Sequence, residues 1–127
     1  MKKLMIILLL VLSASAQAQN LVGTKRSDIK FVADSEGWHY QEAKGVNGVP
    51  FIEVAQDSNN IKFYFFNQFD VCTTYLVFYG DRSLEEISES LSAAYARRND
   101  LWFAENCVIA VERDDSLNGY FVKFKKL

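Results

Sequence analysis

The chain has 127 residues, of which 50% are hydrophobic and 14% aromatic, and its formal net charge is −2. A single proline and six glycines, together with this apolar content, exclude a disordered chain. The mildly acidic balance excludes a general electrostatic attraction to nucleic acid or to an anionic membrane, so neither is expected as a partner. The length is that of one domain with one modest hydrophobic core.

Residues 1–18 have the organisation of a bacterial secretory signal peptide. A basic start of two lysines precedes the apolar run Leu4–Leu12, and Ala16 and Ala18 place small residues where a signal peptidase cleaves. This run is too short for a membrane-spanning helix, which needs about 20 apolar residues. No cysteine lies near the cleavage site, so a lipoprotein is not expected. We therefore expect cleavage after Ala18, a single domain over residues 19–127 with no membrane span, and a periplasmic or secreted location.

The hydrophobic pattern of this domain predicts two helices and six strands. Thr24 is expected to cap the first helix, and Gly37 to end it in a left-handed conformation. Ser83 and Glu86 form a capping box for the second helix. The fold is predicted to be α+β, with two helices on one face of a mainly antiparallel sheet of about six strands, in the order α-β-β-β-β-α-β-β. In chain order the elements are a helix over Thr24–Glu36, strands over Trp38–Lys44, Val49–Gln56, Ile61–Phe66 and Val71–Tyr79, a helix over Ser83–Arg98, and strands over Leu101–Glu112 and Tyr120–Lys126.

The most aromatic stretch, Asn59–Gly80, is predicted to be the central hairpin of the sheet. Its two runs alternate with period two and flank a short polar break. One face is expected to pack on a helix, and the other face, still rich in tyrosine and threonine, is expected to be half exposed. On the second run the two faces are expected to carry Cys72, Thr74, Leu76 and Phe78 on one side and Val71, Thr73, Tyr75, Val77 and Tyr79 on the other.

Two alternatives are open for the pair Cys72 and Cys107. In an oxidising compartment they can form one disulfide that closes a loop of about 35 residues and stabilises the fold by roughly 3–4 kcal/mol. They can instead be buried thiols that act as small hydrophobic side chains. A redox role is not expected, because the chain has no C-x-x-C motif and no obvious neighbour that lowers a thiol pKa.

The sequence contains no pattern typical of a catalytic or metal site. His39 is the only histidine and lies between two aromatic residues, without the flanking residues of a nucleophilic site. One histidine and two distant cysteines cannot supply the four ligands typical of zinc. Asp114 and Asp115 lack the spaced ligands of a calcium loop. We therefore predict no catalytic residue, no metal site and no cofactor.

Several hydrophobic segments carry a resemblance that covers most of the domain. They are Gly23–Ile29, the run FYFFNQFDVC leading into YLVFY, the helix with Leu84, Ile87, Leu91 and Tyr95, the triplet Leu101–Phe103 and the closing GYFVKF. In these segments the chain resembles a loosely defined group of small exported bacterial proteins of unknown function, which carries over no functional residue. The element order also resembles that of secretion-chaperone-like folds, with one strand more.

The surplus of aromatic residues is the main indication of function. Exposed aromatic patches mark interfaces, so we predict a non-catalytic binding module that contacts a protein or a small ligand through a sheet face. One alternative is a carrier with a cavity of at least a few hundred Å³ for an apolar ligand between the helices and the sheet. Another is a small hydrolase with a cleft that holds two inward carboxylates. The candidate contacts of the binding module, each of which could instead be buried, are Trp38, Tyr40, Tyr64, Tyr75 and Tyr79.

Overall fold

The computed structural model describes residues 21–127, and the predicted signal peptide lies outside the described residues. The α+β class with an antiparallel sheet is confirmed. In the described part of the chain, no helix is both long enough and apolar enough to cross a membrane. The elements are α1 (Arg26–Glu36), β1 (Tyr40–Lys44), β2 (Pro50–Asp57), β3 (Asn60–Phe66), β4 (Cys72–Tyr79), α2 (Leu84–Ala94), β5 (Ala96–Arg98), β6 (Leu101–Phe103), β7 (Cys107–Asp114) and β8 (Gly119–Lys126).

The same order of elements occurs twice along the chain, because each of the two helices is followed by four antiparallel strands. All strands of the described residues form one eight-stranded sheet in the order β1-β2-β3-β4-β8-β7-β6-β5. The two four-stranded halves join through the antiparallel pair β4 and β8, where Val77 lies opposite Val122. The centre of the sheet therefore consists of strands that are distant in sequence.

The predicted count of about six strands and the predicted order α-β-β-β-β-α-β-β were wrong. Two short strands, β5 and β6, lie between α2 and β7. The second helix was predicted to run to Arg98, but it ends at Ala94, and Tyr95 is extended with φ −136° and ψ 152°. Arg97 and Arg98 belong to β5 instead, paired with β6. The predicted strand Leu101–Glu112 is divided into β6 and β7.

The local signals at the helix ends were mostly read correctly. Ser83 and Glu86 form the predicted capping box, with Ser83 Oγ accepting from the Glu86 N–H at 3.2 Å. Gly37 takes the predicted left-handed conformation at φ 70°. The predicted cap at Thr24 was wrong, because α1 begins after Lys25 and has no side-chain cap. The carbonyl of Thr24 instead accepts from the Cys72 N–H at 2.8 Å, which ties the start of α1 to β4.

One face of the sheet, which we call the first face, carries the core. Ile29 of α1 and Ile87 and Leu91 of α2 belong to the same buried cluster as the side chains of this face. Burying these side chains is the main stabilising contribution to a domain of this size. The core residues of the first face are Ile52, Val54, Tyr64, Phe66, Cys72, Tyr75, Val77, Trp102, Cys107, Ile109, Val122 and Phe124.

A register shift between Phe65 and Phe66 places Cys72 on the first face. The prediction that Cys72 shares a face with Thr74 and Leu76 was therefore wrong, because the extra residue of a bulge reverses the side-chain direction. Cys72 and Cys107 are buried thiols, and no disulfide joins them. The intervening strand β8 separates their backbones by about 9–10 Å, which exceeds the roughly 7 Å that a disulfide can span. Burial raises the pKa of the Cys72 thiol to about 12.

Candidate functional site

The opposite face of the sheet exposes a cluster of phenylalanines, and we call it the open aromatic face. Its residues alternate with those of the first face on the same strands, so the register that buries Ile52 and Tyr64 turns their neighbours the other way. Most of these side chains are half-buried, and Phe78 is 5% exposed. The apolar residues of the open aromatic face are Phe51, Ile61, Phe63, Phe65, Leu76, Phe78, Leu101, Phe103, Val108, Ala110 and Phe121.

The aromatic rings of this face form two groups. Phe51, Phe63 and Phe65 make one group, with ring centres 5.3 Å apart for Phe51 and Phe65 and 6.1 Å apart for Phe51 and Phe63. Phe78 and Phe121 make the other, with centres 5.2 Å apart. These separations are typical of favourable tilted ring contacts. The rings therefore support one another; Phe78 is buried, and the other four still present part of their surface to solvent.

Gly119 shapes the second ring group. A Cβ atom at this position would lie 2.6 Å from the Phe78 ring and 2.5 Å from the Tyr79 carbonyl oxygen. Any side chain here would therefore displace the ring or the backbone of β4. The absence of a side chain at Gly119 lets the Phe78 ring approach the backbone of β8 closely, which explains why this ring is more buried than the others on the face.

The two halves of the open aromatic face differ in side-chain size. The half formed by β2 and β3 carries the three-ring group around Phe63. On the other half, β7 contributes the smaller side chains Val108 and Ala110. The face also carries charged residues of both signs: Glu53, Glu112 and Asp114 are acidic, and Arg98, Lys123 and Lys125 are basic.

Two of the five predicted contact residues, Tyr64 and Tyr75, are fully buried on the first face. Their rings stack with centres 4.7 Å apart, and burial raises the pKa of Tyr75 well above its ordinary value. They cannot reach a partner from outside, because neither side chain has any exposed surface. Neither hydroxyl makes a hydrogen bond of good geometry within the described residues, but the two hydroxyls lie close enough for each to affect the pKa of the other.

The other three predicted contacts, Trp38, Tyr40 and Tyr79, are half-buried and pack against the core cluster. The Tyr40 hydroxyl donates to Asp34 Oδ1 at 3.2 Å, and the Arg82 guanidinium lies 4.9 Å from the Tyr79 ring. The register places Tyr40 and Tyr79 with the first face, so they do not extend the open aromatic face. The candidates predicted from the sequence, one tryptophan and four tyrosines, did not include the phenylalanines of the open aromatic face.

Lys62 is the buried charged residue of the first face, at 9% exposure. Its side chain lies between those of Val54 and Val77 in the register, and Nζ is 5.7 Å from the centre of the Trp38 ring. Burial lowers the pKa of this ammonium group. The ring of Trp38 partly replaces the lost hydration, since a cation is attracted to the face of an indole.

A surface depression of about 380 Å³ lies where the β1–β2 and β3–β4 hairpin loops meet. It is open to solvent and lined in part by polar side chains, and it does not lie between the helices and the sheet, where the carrier alternative requires a cavity. Arg26 beside it is ion-paired to Asp70 and lies 3.9 Å from Glu42. The residues that line the depression are Asn47, Gly48, Val49, Pro50, Phe66, Asn67, Gln68 and Asp70.

The acidic pair considered for metal binding, Asp114 and Asp115, lies at the end of β7 and in the turn that follows it. Asp114 accepts hydrogen bonds from the Ser116 hydroxyl at 2.6 Å and from the Leu117 N–H at 3.0 Å, and these bonds lower the pKa of its carboxyl group. Asp115 pairs with Arg113. Across residues 21–127, no group of three or more histidine, cysteine or acidic side chains is placed to hold a metal ion.

Comparison with protein-family models, with curated proteins and with solved structures finds no match to this chain.

Proposed function

We propose that this chain is a non-catalytic binding module of the space outside the cytoplasm, and that it binds a protein through the open aromatic face. The observation that supports this proposal is the set of half-buried phenylalanines on a sheet face opposite the core cluster. Contiguous apolar surface of this kind is rare on a soluble protein unless it serves an interaction.

The scaffold behind the face favours tight recognition. Directly behind Phe63 and Phe65, the first-face residues Tyr64 and Phe66 are at most 2% exposed. A packed core of this kind holds the strands, and therefore the rings on the other side, in fixed positions. The rings of the face therefore lose little conformational freedom when a partner binds. This lower entropic cost improves the affinity for a given buried area.

The shape of the face favours a protein over a small molecule. Small-molecule sites are concave and enclose most of the ligand. The open aromatic face consists of side chains that project from one side of a continuous sheet, and such a surface matches another extended surface. Aromatic residues on a rigid surface are also the residue types that contribute most to protein interfaces.

Site-specific photo-crosslinking in the producing cell tests this proposal. A benzoyl-phenylalanine at Phe63 should capture a protein, and one at Phe31 should not, because Phe31 lies on α1 and is 72% exposed. The captured protein should also lose binding to the purified variant Phe65→Ser while it retains binding to the variant Phe31→Ser. Equal capture from both positions, or binding that survives Phe65→Ser, would contradict the proposal. The intact mass of the purified protein reports on export, and the expected chain begins at Gln19.

A further inference from the structure

We infer that Lys62 is a site of covalent attachment, at which the side-chain amine forms an imine with a small aliphatic aldehyde. This site goes beyond the proposed function, because Lys62 lies on the first face of the sheet and the open aromatic face is on the other side. The burial of the side chain, its apolar neighbours and the lack of an anion beside it define the site.

The side chain of Lys62 lies among apolar groups. Val54 and Val77 are its partners on the two neighbouring strands, and each is 2% exposed. Nζ is 5.7 Å from the centre of the Trp38 ring. A lysine beside apolar surface usually extends its amine into water. Because Lys62 as a whole is only 9% exposed, its amine lies in a mainly apolar environment instead.

No anion balances the charge of a Lys62 ammonium group. Within residues 21–127, no carboxylate lies within ion-pair distance of Nζ. The titratable groups beside it on the first face are the hydroxyls of Tyr40, Tyr64 and Tyr79, whose pKa values are raised, chiefly by desolvation, so that all three are neutral at pH 7. Burial therefore acts on Lys62 without compensation, and it lowers the pKa of the ammonium group.

A second unsatisfied group lies beside Lys62. Asn60 precedes it by two residues on β3, so the two side chains leave the same face of the strand about 7 Å apart. Asn60 Oδ1 is buried and has no hydrogen-bond partner among the described residues. A buried acceptor of this kind is normally paired with a donor. This part of the first face therefore offers both an amine without an anion and an acceptor without a donor.

The chemistry of the site is that of a neutral primary amine, which desolvation favours over the ammonium form. The lone pair of Lys62 Nζ attacks the carbonyl carbon of the aldehyde, and one proton passes from nitrogen to the carbonyl oxygen to give a carbinolamine. The carbinolamine hydroxyl supplies a donor of the type that Asn60 Oδ1 lacks. The hydroxyl then leaves with the second proton of the nitrogen as water, and a C=N bond remains. One water is released for each imine, and no oxidant or reductant takes part.

The surroundings of Lys62 favour an apolar aldehyde as the reagent. The imine of such an aldehyde can stay uncharged at a buried position, so its formation replaces a group that is costly to bury with one that is not. A reagent that leaves an anion on the nitrogen would bury a new charge between Val54 and Val77. The aldehyde has to be small, because little of the Lys62 side chain is open to solvent.

Reductive alkylation of the chain from residue 19 compares the reactivity of its lysines. The folded protein is treated with limiting acetaldehyde and sodium cyanoborohydride, and the ethylated lysines are located by peptide mass mapping. At pH 7 we expect Lys62 to be ethylated faster than the exposed Lys44 and Lys125. This ratio of rates should fall toward pH 10, where the exposed lysines also lose protons, and the preference should disappear in urea. Slower ethylation of Lys62 than of Lys44 at pH 7, or a preference that persists in urea, would overturn the inference.

The variant Lys62→Met tests whether the ammonium group lacks a partner. Methionine fills a similar space without a charge, so the variant should fold and should unfold in urea at a midpoint no lower than that of the parent chain. It should also lose the fast ethylation at pH 7. Lys44→Met is the matched control and should retain both the parent midpoint and the fast ethylation of Lys62. A clearly lower midpoint for Lys62→Met would show that the charge has a partner in the folded chain, and would overturn the inference.

Discussion

The assignment of the two faces of the sheet predicts unequal effects for two neighbouring substitutions of the same type. Phe66 lies on the first face at 2% exposure, and the guanidinium of Arg26 lies 5.2 Å from its ring. Phe65 is half-buried on the open aromatic face, with its nearest ring, Phe51, 5.3 Å away. Truncating a buried phenylalanine costs about 3–5 kcal/mol of unfolding free energy, since it removes burial and leaves a cavity. Truncating a half-buried one should cost about 1–1.5 kcal/mol.

Urea unfolding of Phe66→Ala and Phe65→Ala measures this difference. Both variants should be compared at low protein concentration, so that association through the open aromatic face does not add to the stability of the parent chain. The fluorescence of Trp38 and Trp102 reports the transition, and an unchanged denaturant slope shows that the same two states are compared. A loss for Phe65→Ala that equals or exceeds the loss for Phe66→Ala would refute the assignment of the faces.

Three further predictions follow from side chains of the core and of α2. Burial raises the pKa of the Cys72 thiol to about 12 in the folded chain, whereas the thiol of the unfolded chain has its ordinary pKa of 9.0. The buried thiol therefore makes its full contribution to stability below pH 9, and this contribution is lost as the pH rises toward 12. Between pH 7 and pH 10 the loss is about 1.4 kcal/mol, and Cys72→Ala should lose that much less stability than the parent in urea titrations at the two pH values. Tyr75→Phe should leave the unfolding free energy unchanged or raise it by up to about 1 kcal/mol, because the buried hydroxyl makes no hydrogen bond of good geometry within the described residues. A clear loss in the same assay would show that the neighbouring Tyr64 hydroxyl is its partner. Ser83→Ala should lower it by about 1 kcal/mol through loss of the capping box, and Ser90→Ala, on the exposed side of α2, is the control.

The sequence of β3 alone could not show which face of this strand is exposed and which is buried. On β3, the side chains that share a face with Phe63 are more hydrophobic than those that share a face with Lys62 and Tyr64. The tyrosines of the hairpin also suggested that their face is partly exposed to solvent. The structure buries Lys62 and leaves Phe63 half exposed. The neighbouring strand decides the matter, because Ile52 and Val54 of β2 lie on the core side and the register aligns them with Tyr64 and Lys62. Pairing between strands, and not the pattern within one strand, determined the face.

The features that could be predicted are those with local causes. The capping box at Ser83 and the left-handed end at Gly37 depend on residues within one turn of each other. The short strands β5 and β6 have no such signal. They are three residues long and pair with each other and with β7, and Asn99 turns between them at φ 55°. Strands this short form because the backbone of β7 has one side free to pair with β6. That pairing arises only in the folded chain, so the sequence of β5 and β6 does not indicate it.

The charged residues of the open aromatic face determine whether it suits a permanently packed element or a reversibly bound partner. In the row of side chains that crosses the middle of the open aromatic face from β2 to β6, Lys123 lies between Leu76 and Ala110, and Glu53 lies beside Phe63. A helix packed permanently over this row would remove both charges from water, at a cost that only well-placed partners could offset. A face that combines large rings with such charges is better suited to a partner that binds and leaves, because in the unbound chain the charges keep the surface hydrated and limit aggregation. The same side chains that make the face a poor core therefore make it a workable binding surface.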